Sequence, residues 1–149
     1  MPDDALLLIT IVATGMFAGA AIYVSLVEHP ARVSCGVQVA LKEFGPSYKR
    51  GAVMQASLAL IGMAAGFGLA WHARDGWYAL AALLLGALVP FTLIVIFPTN
   101  TRLLDPSLAK DEANAIQLLT RWGQLHAVRT ISSCAAFLIL VLRMIGALQ

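Results

Sequence analysis

The chain has 149 residues, 60% of them hydrophobic and 12% charged, with a mean hydropathy of +0.82, whereas a soluble domain averages about 45–50% apolar and about 25% charged. These proportions exclude an ordinary water-soluble globule, while the net charge of +2 decides nothing until its distribution is read. The length allows a single domain, residues 1–149, whose interior must come from helices packed in lipid.

The N-terminus, Met-Pro-Asp-Asp, lacks the basic region of a secretory signal, so the first apolar segment is expected to be retained. Residues 5–27 carry no charge until Glu28, and about 23 residues at 1.5 Å each reach roughly 34 Å, enough for a ~30 Å hydrocarbon core. Three further spans are predicted over about 52–71, 77–97 and 127–148. No segment shows the period-two alternation of a membrane β-strand. The expected fold is therefore all-α, an integral membrane four-helix transmembrane bundle.

Two connections are long, 28–51 and 98–126, and the turn at 72–76 is short. Arg32, Lys42, Lys49, Arg50, Arg102, Lys110, Arg121 and Arg129 fall on the side of the long connections, whereas Arg74 and Arg143 fall on the other. The positive-inside bias puts the long connections in the cytoplasm and both termini outside, as in a protein of a bacterial inner membrane. Trp71 and Trp77 flank the short turn as interfacial anchors. Cys35 and Cys134 have no CxxC spacing and read as unpaired. Gly15-x-x-x-Gly19 and Gly62-x-x-x-Gly66 are faces for close helix approach, serving bundle packing or a homo-oligomer.

Ionisable groups at the ends of apolar spans are costly and mark a site. Glu28, His29 and Arg32 stand at the exit of the first span; if the helix runs through Pro30, Glu28 and Arg32 form an i,i+4 pair. Trp122, His126, Arg129 and Ser133 share one helical stripe entering the fourth span, with Tyr48 and Gln55 entering the second and Asn100 leaving the third. Spans one and three both exit with a proline followed by an arginine, as a parallel repeat would. The stretch from Asp105 to Glu112 reads as a loop and the first turn of an amphipathic helix leading to Trp122.

Taken together, Phe17 through Arg32 with its Glu28-His29-Pro30, Tyr48-Lys49-Arg50 with Met54-Gln55, Phe97-Pro98-Thr99-Asn100, and Trp122 with His126-Ala127-Val128-Arg129 resemble the anthrone-oxygenase-like family of small four-helix membrane proteins. The resemblance covers essentially the whole chain. It implies oxidation of a small hydrophobic, aromatic, anthrone-like substrate by molecular oxygen. On that reading His29 or His126 is the base, Arg129 or Arg32 stabilises the anion, Glu28 orients the imidazole, and Trp122 and Tyr48 are walls for a flat substrate, with Asn100 and Gln55 beside them.

Two other classes remain open. His29, His126 and Glu28 suit a metal, and the two histidines suit a haem, because neutral imidazoles and a carboxylate are ligand types for both. A non-catalytic membrane subunit would use the basic face for anionic lipid. No P-loop, dinucleotide fingerprint, GxSxG or HExxH occurs, and nucleic acid is not an expected partner.

Overall fold

The computed structural model describes residues 2–148, and every regular element among them is helical. Four helices are long and apolar enough to cross a membrane: α1 (Asp3–Ser34), α2 (Val37–Ala73), α3 (Gly76–Leu103) and α4 (Glu112–Met144). They hold 28 to 37 residues, so at 1.5 Å per residue they reach roughly 42–56 Å, well past the ~30 Å of a hydrocarbon core. α1 packs against α2 and α4, and α3 packs against the same two helices, which closes a four-membered ring.

The extra length lies in the two long connections, and the helix expected to lead to Trp122 does start at Glu112. Polar and charged residues in 28–51 and 98–126 lower the hydropathy there without lowering helix propensity, and most of both segments is helix. α1 turns into α2 through Gly36, whose φ of 89° suits a residue without a Cβ. Between α3 and α4 only a short 3-10 helix, Pro106–Lys110, intervenes. Both connections lie at the same end of the bundle, where Gln38 Nε2 donates to the Ala109 carbonyl at 2.8 Å.

Pro30 and Pro98 do not break their helices. Each is preceded by one turn of π-helix, Val24–Glu28 in α1 and Thr92–Ile96 in α3. The wider turn absorbs the missing N–H and the bulk of the ring. The two π turns stand in equivalent register to their prolines, which fits the repeat, but the arginines do not correspond: Arg32 is buried and Arg102 is exposed.

Aspartates cap the helix starts. Asp75 accepts from Trp77 N at 2.9 Å and Asp111 from Asn114 N at 3.1 Å, each satisfying a donor that the first turn leaves free. Asp105 does the same for Ser107, and these hydrogen bonds hold its carboxyl below the usual carboxylate range. At the end opposite the long connections, Arg143 pairs with Asp75 and tethers the Leu148 carbonyl. Cys35 and Cys134 are both free thiols.

Gly62 and Gly66 are buried where α2 meets α1 and α3. A Cβ on Gly66 would lie 2.9 Å from Ala82 Cβ, and one on Gly62 would lie 2.6 Å from Leu85 Cδ2. Gly19, in contrast, has nothing within 4 Å of that position. Two apolar clusters fill the interior. One is built around Phe17, Leu85, Leu88 and Leu140 in the middle of the spans. The other, around Phe44, Ile96, Leu119 and Trp122, lies toward the extended ends.

Candidate functional site

The continuation of α1 through Pro30 places Glu28 and Arg32 on successive turns of one face. The Arg32 side chain is only 2% exposed and pairs with Glu28 and, across the helix interface, with Glu43 of α2. Its Nη2 also donates to Ser47 Oγ at 2.9 Å, and Ser47 donates to Glu28 Oε1 at 2.6 Å. A buried guanidinium is tolerated only when paired and hydrogen-bonded. Its flat face is covered too, 5.5 Å from the Phe44 ring centre and 5.6 Å from that of Trp122.

Trp122 is the hub of the aromatic part. Its indole N–H donates to Asn100 Oδ1 at 2.8 Å. The His29 ring lies 5.0 Å from it and the His126 ring 4.8 Å, the latter nearly parallel at 25°. Phe44 meets the indole edge-on at 5.5 Å and stacks on Tyr48 at 5.7 Å. His29 packs directly on Gly123, where a Cβ would lie 2.8 Å from His29 Nε2.

His126 is buried one turn after Trp122. Its Nδ1 lies 3.0 Å from Ser25 Oγ of α1, and Ser25 Oγ lies 2.8 Å from Thr130 Oγ1. Arg129, adjacent on the same stripe, donates from Nη2 to Gln55 Oε1 of α2, and its guanidinium sits 5.4 Å from the Phe17 ring centre. Its buried Nε–H donates to no acceptor, and among the described residues no carboxylate forms an ion pair with it.

These groups border a cavity of about 530 Å³ between all four helices, within the range of small-molecule pockets. Phe17, Tyr48, Gln55, Trp122, His126 and Arg129 supply its aromatic and polar wall, and Leu88, Val89 and Thr92 of α3 its apolar one. Tyr23, Met54, Leu93 and Phe97 belong to the same wall and are exposed on the outside of the bundle. The cavity thus borders the apolar belt of the helices.

Of the ten residues singled out from sequence, nine come together in two layers, and the tenth, Ser133, is buried and bonds back to the Thr130 carbonyl. Glu28, Tyr48, Gln55, Trp122, His126 and Arg129 line the cavity, whereas His29, Arg32 and Asn100 are outside its lining and contact it through Trp122 or Glu28. Glu28 corrects one expectation: its carboxylate is engaged by Arg32 and Ser47, and the group on the His126 imidazole is Ser25. Among the described residues no three His, Cys, Asp or Glu side chains gather in a way that could hold an ion. Both imidazoles instead pack on Trp122.

Sequence reasoning missed Phe17, Ser25, Glu43, Phe44, Ser47 and Thr130. Glu43 and Ser47 are an i,i+4 pair whose signal disappears once 28–51 is read as a loop. Ser25 and Thr130 look like ordinary hydroxyls of apolar helices.

A family model described as anthrone oxygenase matches residues 44–139. That stretch contains Tyr48, Gln55, Asn100, Trp122, His126 and Arg129, and Ser25, Glu28, His29 and Arg32 precede it. Among curated proteins, the anthrone oxygenase tpcL of Aspergillus fumigatus is 33% identical over 145 residues, covering 88% of this chain and 90% of the relative. No solved structure matches.

Proposed function

The chain belongs to the anthrone oxygenase family, and on that premise we propose that it is a membrane-embedded oxygenase that converts a small, flat, anthrone-like substrate to the corresponding quinone with molecular oxygen. The observation that carries this reading is the cavity of about 530 Å³ with His126 and the uncompensated cation of Arg129 on one aromatic wall.

The reaction needs a base, a cation and a dry pocket. His126 removes a proton from the acidic methylene of the anthrone. The charge moves onto the ring oxygen, where Arg129 stabilises the phenolate-like anion, with Gln55 holding the guanidinium in place. The carbanionic carbon forms a C–O bond to molecular oxygen, giving a hydroperoxide after protonation. Loss of the second C–H proton and cleavage of the O–O bond release water and leave the carbonyl. One oxygen atom enters the product and the other leaves as water. Tyr48, backed by Phe44, presents its ring to the flat substrate, while Trp122, its own ring packed by His126 and Arg32, forms the end wall.

His126 is favoured over His29 as the base because it lines the cavity and His29 does not. Arg129 is favoured over Arg32 because the charge of Arg32 is already matched by Glu28 and Glu43. The exposed rim of Tyr23, Met54, Leu93 and Phe97 suits entry of a hydrophobic substrate from lipid. The positive-inside bias turns this end of the bundle to the cytoplasm, and membrane lipids surround the apolar belt.

The test is an oxygen-uptake assay on protein purified in lipid nanodiscs and supplied with an anthrone. The reading expects one oxygen molecule consumed per quinone formed, above the rate of spontaneous autoxidation. Folded protein that leaves the autoxidation rate unchanged across a panel of anthrones contradicts it.

A further inference from the structure

The contacts of Ser25 have a direction, because each hydroxyl carries one proton and a carbonyl oxygen can only accept. Thr130 Oγ1 lies 3.1 Å from the Ala21 carbonyl and 3.3 Å from the His126 carbonyl, so its proton points to the backbone. It must then accept the Ser25 proton across the 2.8 Å contact between the two hydroxyls. Ser25, having given its proton away, has only a lone pair left for His126 Nδ1 at 3.0 Å. The imidazole must therefore supply the proton of that bond. The opposite direction, Thr130 to Ser25 to Nδ1, makes two hydrogen bonds and abandons both carbonyl contacts.

We propose that Ser25 and Thr130 form a directional hydrogen-bond chain ending on the Ala21 backbone, which holds His126 as the Nδ1–H tautomer and leaves its Nε2 bare toward the cavity. Nε2 takes no hydrogen bond among the described residues. The tautomer stands on the geometry alone, whereas its use as a base rests on the oxygenase reading. In that use Nε2 accepts the substrate proton while Nδ1–H stays on Ser25, so the chain carries the imidazolium without rearranging. Ser25 is then a positioning residue. The π turn at Val24–Glu28 is the segment of α1 that carries it, in keeping with the use of such bulges at functional sites.

The experiment is nitrogen NMR of histidine-labelled protein in nanodiscs, with the three histidines assigned through His72→Gln and His126→Gln. At neutral pH the proposal expects one His126 tautomer, protonated at Nδ1 and bare at Nε2. Ser25→Ala and Thr130→Val should each introduce the Nε2–H form, while Ser25→Thr, which keeps the hydroxyl, retains the wild-type pattern. A wild-type His126 protonated at Nε2, or a Ser25→Ala spectrum identical to wild type, overturns the chain. For the positioning role, Ser25→Ala should lower kcat roughly tenfold or more with KM nearly unchanged, part of the 10²–10⁴ that a general base supplies. An altered tautomer with undiminished kcat removes that role. A protein without oxygenase activity still gives its tautomer, so failure of the chain and failure of the oxygenase reading are separable.

Discussion

The indole N–H of Trp122 on α4 donates to Asn100 Oδ1 on α3 at 2.8 Å, and both side chains are buried. This bond fixes the ring that both histidines pack on. Replacing Trp122 by Phe keeps a ring but leaves Asn100 Oδ1 without its donor. The expected cost is about 1–3 kcal/mol of stability, the penalty of an unmet buried polar group. A double-mutant cycle with Asn100→Ala, read by unfolding in detergent, should show coupling of roughly 0.5–3 kcal/mol. Additive effects would mean that the bond does not hold the hub.

The Arg32 network makes a sharper demand. With Glu28 and Glu43 both on its guanidinium, Arg32→Met strands two carboxylates. The expected destabilisation is roughly 3–5 kcal/mol at the buried limit, reduced by the solvent that reaches the half-buried Glu43. Arg32→Lys should recover little, since one ammonium cannot replace the planar fork. Thermal unfolding of the two variants decides it, and a lysine variant as stable as wild type would contradict the geometry.

Much of this site was legible in the sequence, and the reason is energetic. Glu28, His29, Arg32, His126 and Arg129 are expensive at the ends of apolar spans, so their presence marked the site before the fold was known. The hydroxyls were not legible, because Ser and Thr in apolar helices usually satisfy themselves by bonding back one turn. Thr10 to Leu6, Ser57 to Val53 and Thr92 to Leu88 do so here. Ser25 bonds across to α4 instead, which no single-chain pattern reveals. The helical extensions were hidden for another reason: hydropathy reports where lipid is expected, and helices continue beyond it.

Glycine substitutions should separate interior packing from association. Gly66→Ala puts a Cβ 2.9 Å from Ala82 Cβ, and Gly123→Ala puts one 2.8 Å from His29 Nε2. Overpacking of this kind costs about 1–3 kcal/mol. Gly19→Ala meets nothing within 4 Å and should leave the monomer's stability unchanged. Gly15 faces Phe137 inside the bundle, where a Cβ would lie 2.9 Å from the ring, so only the open Gly19 is left to join two copies. If it does, Gly19→Leu should abolish crosslinking between copies while the fold survives. Unchanged crosslinking would remove that role.

Arg129 distinguishes anion stabilisation from simple positive charge. Arg129→Met should cost about 10²–10³ in kcat, the range for losing one preorganised donor to a developing oxyanion. Arg129→Lys should recover only part, because Gln55 positions a guanidinium and Lys cannot present the same fork. Steady-state kinetics on the three proteins checks this. Full activity in the lysine variant would favour a role in binding anionic lipid.

His126, and not His29, is the proposed base. The most direct measurement compares anthrone-dependent oxygen uptake by wild type, His126→Ala and His29→Ala, each confirmed as folded. A loss of about 10²–10⁴ in kcat is expected for His126→Ala, with His29→Ala keeping most of its turnover. Wild-type turnover in His126→Ala, or a loss confined to His29→Ala, would contradict it.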